Sequence, residues 1–259
     1  TFDSSNNKVI LAFESQGDCA ASGYYGCAVV GTVSGTSISF GTIVEFDDGG
    51  GVHHGAVTFD SNSNKVVIAY DDQDDSNTGR AIVGTVSGTS ISFGSPTTFN
   101  SGSTSDIATA FDTTNNKIVI VYRDIGNSQY GTAIVGTVSG TSISFGSEAV
   151  FNSARADSMH RIAFIPEFGV LIGFVTSGDG KAIYGTVSGT SISFDTATTF
   201  GDADGYEGVI IAFDSENGKA IVIYEDNDDS HQGNARMTDV AVPEFTSLLM
   251  PIASVLLIV

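Results

Sequence analysis

The chain has 259 residues and is strongly acidic, with 30 Asp and Glu against 10 Lys and Arg and a formal net charge of −20. A field of that sign repels phosphate backbones and anionic lipid headgroups, which argues against a nucleic-acid partner. Hydrophobic residues make up 41% of the chain and charged residues 15%, with 31 Gly and no Trp. This composition excludes an intrinsically disordered protein and is typical of a turn-rich β-protein.

One segment, AIVGTVSGTSISFGS, occurs twice without change, at 81–95 and 133–147, and close variants occur at 30–41 and 182–194. The copies can be aligned on the Gly that opens the shared GTVSG string, which falls at Gly31, Gly84, Gly136 and Gly185. The steps between these glycines are 53, 52 and 49 residues. A period near fifty residues predicts a repeat architecture.

Each repeat begins with a short alternating run that ends in Phe-Asp, as at 59–60, although the fourth copy reads AFIPEF at 163–168. A polar turn and a nearly continuous apolar run follow, such as KVVIAY at 65–70. This pattern predicts two antiparallel strands, A and B, with strand B buried on both faces. After a loop of variable length come strand C (AIVGTV), the dipeptide Ser87-Gly88 and strand D (TSISF). The Gly favours a tight hairpin between C and D because it tolerates a positive φ.

Four antiparallel strands in about fifty residues are one blade of a β-propeller. The sequence therefore predicts an all-β fold, a β-propeller of four-stranded antiparallel blades, and a linear β-solenoid is the alternative. The period and strand number resemble those of kelch-type propellers, although the kelch double-Gly and Trp signature is absent. As a propeller, the chain is expected to be a monomer.

The predicted repeat units are approximately 1–52, 53–104, 105–157, 158–204 and a partial unit at 205–242. In the last unit we expect strand A at 209–214, strand B at 219–224 and strand C at 234–242, but no strand D. We therefore expect an N-terminally incomplete ring, with a native chain that begins upstream and contains further blades.

The C-terminal segment 243–259 begins with Pro243, Glu244 and Phe245 and continues into an uncharged apolar run. It resembles the archaeal PEF-type sorting signals, in which this tripeptide precedes a hydrophobic helix and a basic tail; the basic tail is missing here. The resemblance implies an exported protein that is anchored to the membrane at an archaeal cell surface. The alternative is a terminal element packed on the last blade.

The strand order places the B–C and D–A loops on one face, where the long loops gather. Variable loops on a repeated scaffold are the usual place for binding. The predicted ligand-binding residues on these loops are Tyr24, Tyr25, Asp124, Tyr130 and Tyr206. Acidic clusters in the second and fifth repeats are candidate calcium ligands, with solvated loop acids as the alternative; they comprise Asp71, Asp72, Asp74, Asp75, Asp226, Asp228 and Asp229.

Two pairs of residues have more local interpretations. Cys19 and Cys27 flank a short loop, and a disulfide between them is expected if the protein is exported. His53 and His54 lie in a D–A connection, and on an extended strand their side chains are expected to point to opposite sides. That geometry argues against one metal ion bound to both histidines.

The sequence supports three functions. The leading hypothesis is an extracellular, surface-anchored binding or adhesion module that recognises a glycan or a surface protein. The second is a propeller-type glycosidase or lyase, although no nucleophile motif is found; its candidate residues are Arg155, Asp157, His160, Arg161 and Glu167 of the fourth unit. The third is a structural repeat of a surface layer or virion fibre.

Overall fold

The computed structural model describes residues 1–17, 19, 24–47, 51–156, 158–166, 168–202, 209–226, 232–239 and 250–251. The first repeat contains strands β1 (Phe2–Asp3), β2 (Lys8–Gln16), β3 (Tyr24–Ser34), β4 (Ser37–Phe40) and β5 (Val44–Asp47). The second contains β6 (Val52–Asp60), β7 (Lys65–Asp72), β8 (Thr78–Ser87), β9 (Ser90–Phe93) and the start of β10 (Thr97–Asp112). The third continues with β11 (Lys117–Asp124), a 3-10 turn (Ile125–Asn127), β12 (Tyr130–Ser139), β13 (Ser142–Phe145) and β14 (Ala149–Arg155).

The fourth repeat contains β15 (Ser158–Ile165), β16 (Gly169–Thr176), β17 (Asp179–Ser188), β18 (Ser191–Phe194) and β19 (Thr198–Asp202). The fifth contains β20 (Ile210–Asp214), β21 (Lys219–Asp226), β22 (Gln232–Asp239) and β23 (Met250–Pro251). Every strand pair in the described residues is antiparallel, and the all-β prediction is confirmed. Antiparallel pairing disfavours the β-solenoid alternative, whose successive coils pair in parallel.

Within a repeat, the sheet order follows the predicted sequence A, B, C, D, as in β6, β7, β8 and β9. Strand C is long enough to pair with D along one half and with the segment after D along the other half. In repeat 2 that segment is the start of β10, which then pairs with β11 as strand A of repeat 3. One strand thus carries the chain from the outer edge of one repeat to strand A of the next.

In repeats 2, 3 and 4, strand B is buried on both faces because it packs against two neighbouring repeats. On β7, Val66, Ile68 and Tyr70 face repeat 1, whereas Val67 and Ala69 face repeat 3. Four apolar clusters, one at each junction between successive repeats, form the core in this way. The sheets of successive repeats therefore pack face to face. Alternate side chains of strand B enter the core on one side of the sheet and the core on the other side.

The Phe-Asp signature is explained by the turn between strands A and B. The carboxylate of Asp112 accepts hydrogen bonds from the backbone N–H groups of Thr114 (2.9 Å) and Asn115 (3.0 Å) and from the Asn115 side chain (2.8 Å). Asp3, Asp60 and Asp214 close their own turns in the same way. These aspartates therefore stabilise the turn between strands A and B. Local hydrogen bonds of this kind are the reason why Asp is favoured in turns.

The hairpin between strands C and D differs by one residue from the prediction. Ser87 pairs with Ser90, so the loop is Gly88-Thr89 and not Ser87-Gly88. Gly88 has φ +63°, and a Gly at the first loop position is characteristic of a type II′ turn. Gly35, Gly140 and Gly189 have the same conformation in the other copies.

The described sheets do not close into a ring. Strands A and B of the fifth repeat lie where the sequence predicted them, and strand C, at Gln232–Asp239, begins two residues earlier than expected. Apart from Met250 and Pro251, the C-terminal segment 243–259 lies outside the described residues. In the part of the chain that the structure describes, no helix has the length and apolar character needed to cross a membrane.

Candidate functional site

The long connections lie on one face, as the strand order predicts. The backbone N–H of Thr104, in the D–A crossing, donates to the carbonyl of Asn77 in the B–C loop of repeat 2 (2.9 Å). The N–H of Gln73, in the same B–C loop, donates to the carbonyl of Gly51 in the preceding D–A connection (3.2 Å). These bonds join the loops of neighbouring repeats and define a long-loop face.

A pocket of about 380 Å³ opens between repeats 1 and 2. This size lies in the range of about 300–1,000 Å³ that is typical of small-molecule sites. Its walls combine apolar and ionisable side chains from β2 and β6. The lining residues are Ala12, Phe13, Glu14, Phe46, Val52, His53, His54, Gly55 and Ile68.

His53 and His54 both line this pocket, but their charged partners lie on different sides of the sheet. His53 contacts Glu14 of repeat 1, whereas His54 contacts Asp71, which follows Val67 and Ala69 on the side of β7 that faces repeat 3. The backbone of His54 has a φ of +47°, and the pairing of β6 with β7 shifts register between His53 and Ala56, which marks a β-bulge at this point. The centroids of the two rings lie 6.0 Å apart.

Glu14 and His53 join the two repeats at the mouth of the pocket. Glu14 Oε2 lies 3.4 Å from His53 Nε2, and the side-chain amide of Gln73 contacts His53 Nδ1. Gly51 adjoins the same group, because a Cβ at Gly51 would lie 2.8 Å from Glu14 Oε1 and 3.4 Å from the Cβ of Tyr24. Tyr24, half exposed, therefore stands at the edge of this polar group.

His54 is held by the buried carboxylate of Asp71, with Nδ1 3.5 Å from Oδ2. Its hydrogen bond to Asp71 raises the pKa of His54 above its ordinary value, against the opposing effect of partial burial. Asp106 and Arg123 of repeat 3 also act on this imidazole electrostatically, and they lie 3.6 Å apart (Oδ2 to Nη1). Ionisable side chains of three repeats thus line one rim of the long-loop face.

The carboxylates of Asp71, Asp72 and Asp75 in the second repeat point to different partners and not to one common point. Asp72 accepts hydrogen bonds from the backbone N–H groups of Asp74 (3.1 Å) and Asp75 (3.3 Å) and pairs with Arg80 (3.0 Å). Asp75 pairs with Arg80 as well, at 2.8 Å, while Asp71 faces His54. No group of three His, Cys, Asp or Glu among the described residues is placed to hold a metal ion. The calcium prediction therefore has no support in repeat 2.

In the fifth repeat, Asp226 ends β21, and its side chain is outside the described set, as are Asp228 and Asp229. Tyr206 and the sorting residues Pro243, Glu244 and Phe245 lie outside the described residues too. Asp157 and Glu167 of the fourth unit also lie outside the described residues, as does the side chain of His160. These predictions stay predictions.

Asp124 has a structural role in repeat 3. Its carboxylate caps the 3-10 turn by accepting the N–H of Asn127 (3.1 Å) and accepts a second bond from Asn100 Nδ2 (3.3 Å). Tyr130 pairs with Asp124 across the hairpin, in a different repeat from Tyr24 and Tyr25. The structure therefore separates the described members of the predicted ligand-binding set into two places, and of these Tyr24 adjoins the pocket.

The two cysteines form a disulfide between Cys19 and Cys27. Cys27 lies in β3, within the sheet that also carries Tyr24 and Tyr25. The bond ties residue 19 to this sheet at the start of strand C.

Arginines form a carboxylate-binding group in some propeller enzymes, but two of the arginines of this chain are paired with acidic or polar side chains near them. Arg80 is paired with Asp72 and Asp75, and Arg123 contacts Asp106 and Gln129. Arg155 ends β14 and Arg161 lies in β15. None of the described residues that line the pocket is Arg or Lys.

Sequence reasoning missed Phe13, Glu14 and Gln73. The available signal was a comparison of the repeats: Glu14 occupies the strand B position that holds Asp71 in repeat 2 and Arg123 in repeat 3. The five preceding positions of strand B are uncharged in every copy, and this position is the first at which the repeats differ in charge. Variation at one position of a regular repeat is a sign of a specific role.

No protein-family model matches the sequence, and no curated protein is similar to it. Among solved structures, the chain resembles the Hadza microbial sialidase Hz136, with a TM-score of 0.53 and 11% sequence identity over 96% of this chain. The chain spans 57% of the length of that structure. At this identity the likeness concerns the fold alone: the repeats share the arrangement of a sialidase, which is a propeller fold.

Proposed function

We propose that this chain is a glycan-binding module and that the pocket between repeats 1 and 2 is its binding site. The observation that carries the proposal is the composition of the pocket mouth. The half-exposed Tyr24 and the pocket wall formed by Phe46 supply aromatic side chains next to the polar groups of Glu14, His53 and Gln73. Aromatic rings can pack on the C–H faces of a sugar while the polar groups bond to its hydroxyls, and such a mixed lining is typical of ligand pockets.

The charge around the pocket favours an uncharged glycan. Its lining contains Glu14, with the Asp71 carboxylate behind His54, and no Arg or Lys among the described lining residues. The whole chain carries a net charge of −20. A sugar carboxylate would be repelled there, so the substrate implied by the name of the sialidase neighbour does not carry over to this site.

The setting of the module is part of the proposal. The disulfide between Cys19 and Cys27 is of the kind that persists in oxidising, extracellular surroundings. The resemblance of 243–259 to PEF-type sorting signals supports export and attachment to a cell surface. An adhesion module that presents a glycan-binding face away from the membrane is consistent with both features.

The test is a glycan array that contains neutral and sialic-acid-terminated oligosaccharides, followed by calorimetric titration with the neutral glycan that binds best. Tyr24→Ala, His53→Ala and Glu14→Gln are each expected to weaken binding of this glycan at least about 10-fold. Each variant removes an aromatic contact or a hydrogen bond to the sugar that contributes about 1.4 kcal/mol or more. Tyr130→Ala is the matched control, because Tyr130 also begins a strand C on the long-loop face. It should leave the affinity unchanged.

Two results would contradict the proposal. One is the absence of binding to every glycan on the array. The other is binding that Tyr130→Ala weakens while the three pocket variants do not, which would move the site to repeat 3. Binding restricted to sialylated glycans would retain a glycan-binding role but refute the argument from charge.

A further inference from the structure

A second pocket, of about 460 Å³, opens between repeats 1 and 2, and its volume also lies within the range of small-molecule sites. Phe46 belongs to both pockets, but the other lining residues differ. The glycan pocket is lined mainly by β2 and β6, whereas the second pocket is lined by β5 of repeat 1 and by strands C and D of repeat 2. We call it the C–D pocket.

Most of the wall of the C–D pocket is apolar. The rings of Phe46 and Phe93 pack against each other with their centroids 5.7 Å apart, and Phe93 remains partly exposed. Val44, Ile91 and Pro96 add aliphatic surface beside these rings. A wall of this kind packs on the hydrocarbon part of a ligand, and its few polar groups then determine which head group the ligand carries.

Two carboxylates, those of Glu45 and Asp47, lie in this wall. Asp47 is buried, and its Oδ1 accepts a hydrogen bond from the Tyr70 hydroxyl at 3.3 Å. Burial raises the pKa of Tyr70 above its ordinary value, so the hydroxyl keeps its proton and donates to the carboxylate. The polar groups of β5 are therefore acidic.

Arg80 is the one basic side chain among the described residues that line the C–D pocket. Both ends of its guanidinium are already paired: Nη1 lies 3.0 Å from Asp72 Oδ2, and Nη2 lies 2.8 Å from Asp75 Oδ2. Neither aspartate lines the pocket, and together they more than balance the charge of Arg80. The pocket is therefore an acidic environment in an acidic chain, which favours a cation over an anion.

The next junction shows that these charges are not part of the repeat scaffold. At the junction between repeats 2 and 3, the positions of Glu45, Asp47 and Arg80 hold uncharged residues, which are Thr98, Asn100 and Thr132. In the same place the Tyr122 hydroxyl donates to Glu148 Oε1 at 2.8 Å. The residue of repeat 2 that corresponds to Glu148 is Pro96, which has no polar group to place there. The C–D pocket thus combines open space and charge that the neighbouring copy lacks.

We propose that the C–D pocket binds an organic cation with an aliphatic stem, such as an alkylammonium group. The carboxylates of Glu45 and Asp47 attract the ammonium group, and the ring of Phe93 adds a cation–π contact. The aliphatic side chains pack on the stem. A free polyamine and the lysine side chain of a partner protein share this chemistry. The site does not depend on the glycan pocket, because its ligand and its charged residues are different.

The test titrates the 259-residue chain with cadaverine and with Nα-acetyl-lysine N-methylamide, followed by NMR spectroscopy in about 0.15 M salt, where long-range attraction is screened. Pentanol is the uncharged comparison ligand. Glu45→Gln and Asp47→Asn remove the charges, and the fold accepts an Asn at the equivalent position 100 of the next repeat. Glu148→Gln is the matched control, because it removes the same charge from the neighbouring junction and keeps an acceptor for Tyr122. Circular dichroism checks that each variant is folded.

We expect at least one of the amines to bind, and we expect Glu45→Gln and Asp47→Asn each to weaken that binding about 10-fold or more. Glu148→Gln should leave the affinity unchanged. Tighter binding of cadaverine would support a free polyamine as the ligand, and tighter binding of the lysine derivative would support a protein side chain.

The proposal is overturned if neither amine binds, or if pentanol binds as tightly as cadaverine. It is also overturned if Glu148→Gln weakens binding as much as Glu45→Gln does, which would indicate a diffuse attraction by the acidic chain. Tyr24→Ala, which is expected to weaken glycan binding, should not affect the amine. A loss of amine binding in that variant would place the cation in the glycan pocket and refute the C–D site.

Discussion

Gly94 lies so close to Thr141 that a Cβ on Gly94 would stand 2.0 Å from the Thr141 carbonyl oxygen. Gly94 follows strand D of repeat 2, and Thr141 belongs to the C–D turn of repeat 3. Gly41 and Gly146 have the same relation to Thr89 and Thr190. The fourth copy has Asp195 at this position, and the fifth repeat has no GTVSGTS turn in its sequence. The glycine thus belongs to the junction between repeats and is absent where the next repeat lacks that turn.

Gly94→Ala should therefore destabilise the protein by about 1–3 kcal/mol, because the added methyl group must displace backbone. Asp195→Ala is the matched control at the exposed fourth position and should change stability by less than about 0.5 kcal/mol. Urea denaturation followed by circular dichroism measures both changes. Equal effects of the two substitutions would contradict a role for Gly94 in the contact with repeat 3.

The A–B turns offer a second comparison within one chain. Asp112 is fully buried and accepts three hydrogen bonds, so Asp112→Ala should cost about 1–3 kcal/mol by leaving these donors unpaired. Asp214 makes the same bonds in a more exposed turn, where bonding to Asn217 lowers its pKa. Asp214→Ala should therefore destabilise the protein less.

Thermal unfolding of the wild-type protein and these two variants measures the difference. Asp112→Asn retains an acceptor oxygen and should lie between the wild-type and Asp112→Ala proteins. An Asp112→Ala protein as stable as Asp214→Ala would show that burial of the turn adds nothing.

His54 should make stability depend on pH. Its pKa is raised in the folded state, mainly by the hydrogen bond to Asp71, so its contribution is fully present below the ordinary His pKa of about 6.5 and is lost as pH rises through the folded value. Since 44% of the side chain is exposed, we expect at most about 1 kcal/mol. Between pH 6 and pH 8 the melting temperature of the wild-type protein should therefore fall relative to that of His54→Gln.

The difference between the two profiles isolates His54 from the many carboxylates of this acidic chain. Asp71→Asn should remove most of the same pH dependence, and the double variant should behave like either single one. A wild-type profile parallel to that of His54→Gln would contradict the ion pair.

The disulfide between Cys19 and Cys27 closes a loop with a sequence separation of 8. By the loop-closure estimate its removal should cost about 2–3 kcal/mol. Chemical denaturation of the Cys19→Ala/Cys27→Ala protein, compared with the wild-type protein with and without reductant, measures this cost. Reductant should leave the double variant unchanged, and a change there would show that the reductant acts elsewhere.

The sequence by itself determined the repeats, the four strands of each and the positions of the turns. These features depend on local information: alternation sets the strands, Asp112 and its equivalents bond their own turns, and Gly88 permits the hairpin. The nearly continuous apolar run of strand B also predicted that this strand would be buried on both faces. A departure from local rules is not visible in the sequence, as at His54, whose positive φ no pattern in the sequence indicates.

Only the tertiary structure decided which residues meet at the junctions. Glu14 and His53 belong to different repeats and face each other because the sheets pack in succession. Tyr24 lies beside that group, whereas Asp124 and Tyr130 lie in repeat 3, although all three were predicted alike as ligand-binding residues. The physical reason is that repetition encodes what the repeats share, whereas a site arises where they differ and from contacts between residues tens of positions apart. The same packing leaves no room for a Cβ at Gly94.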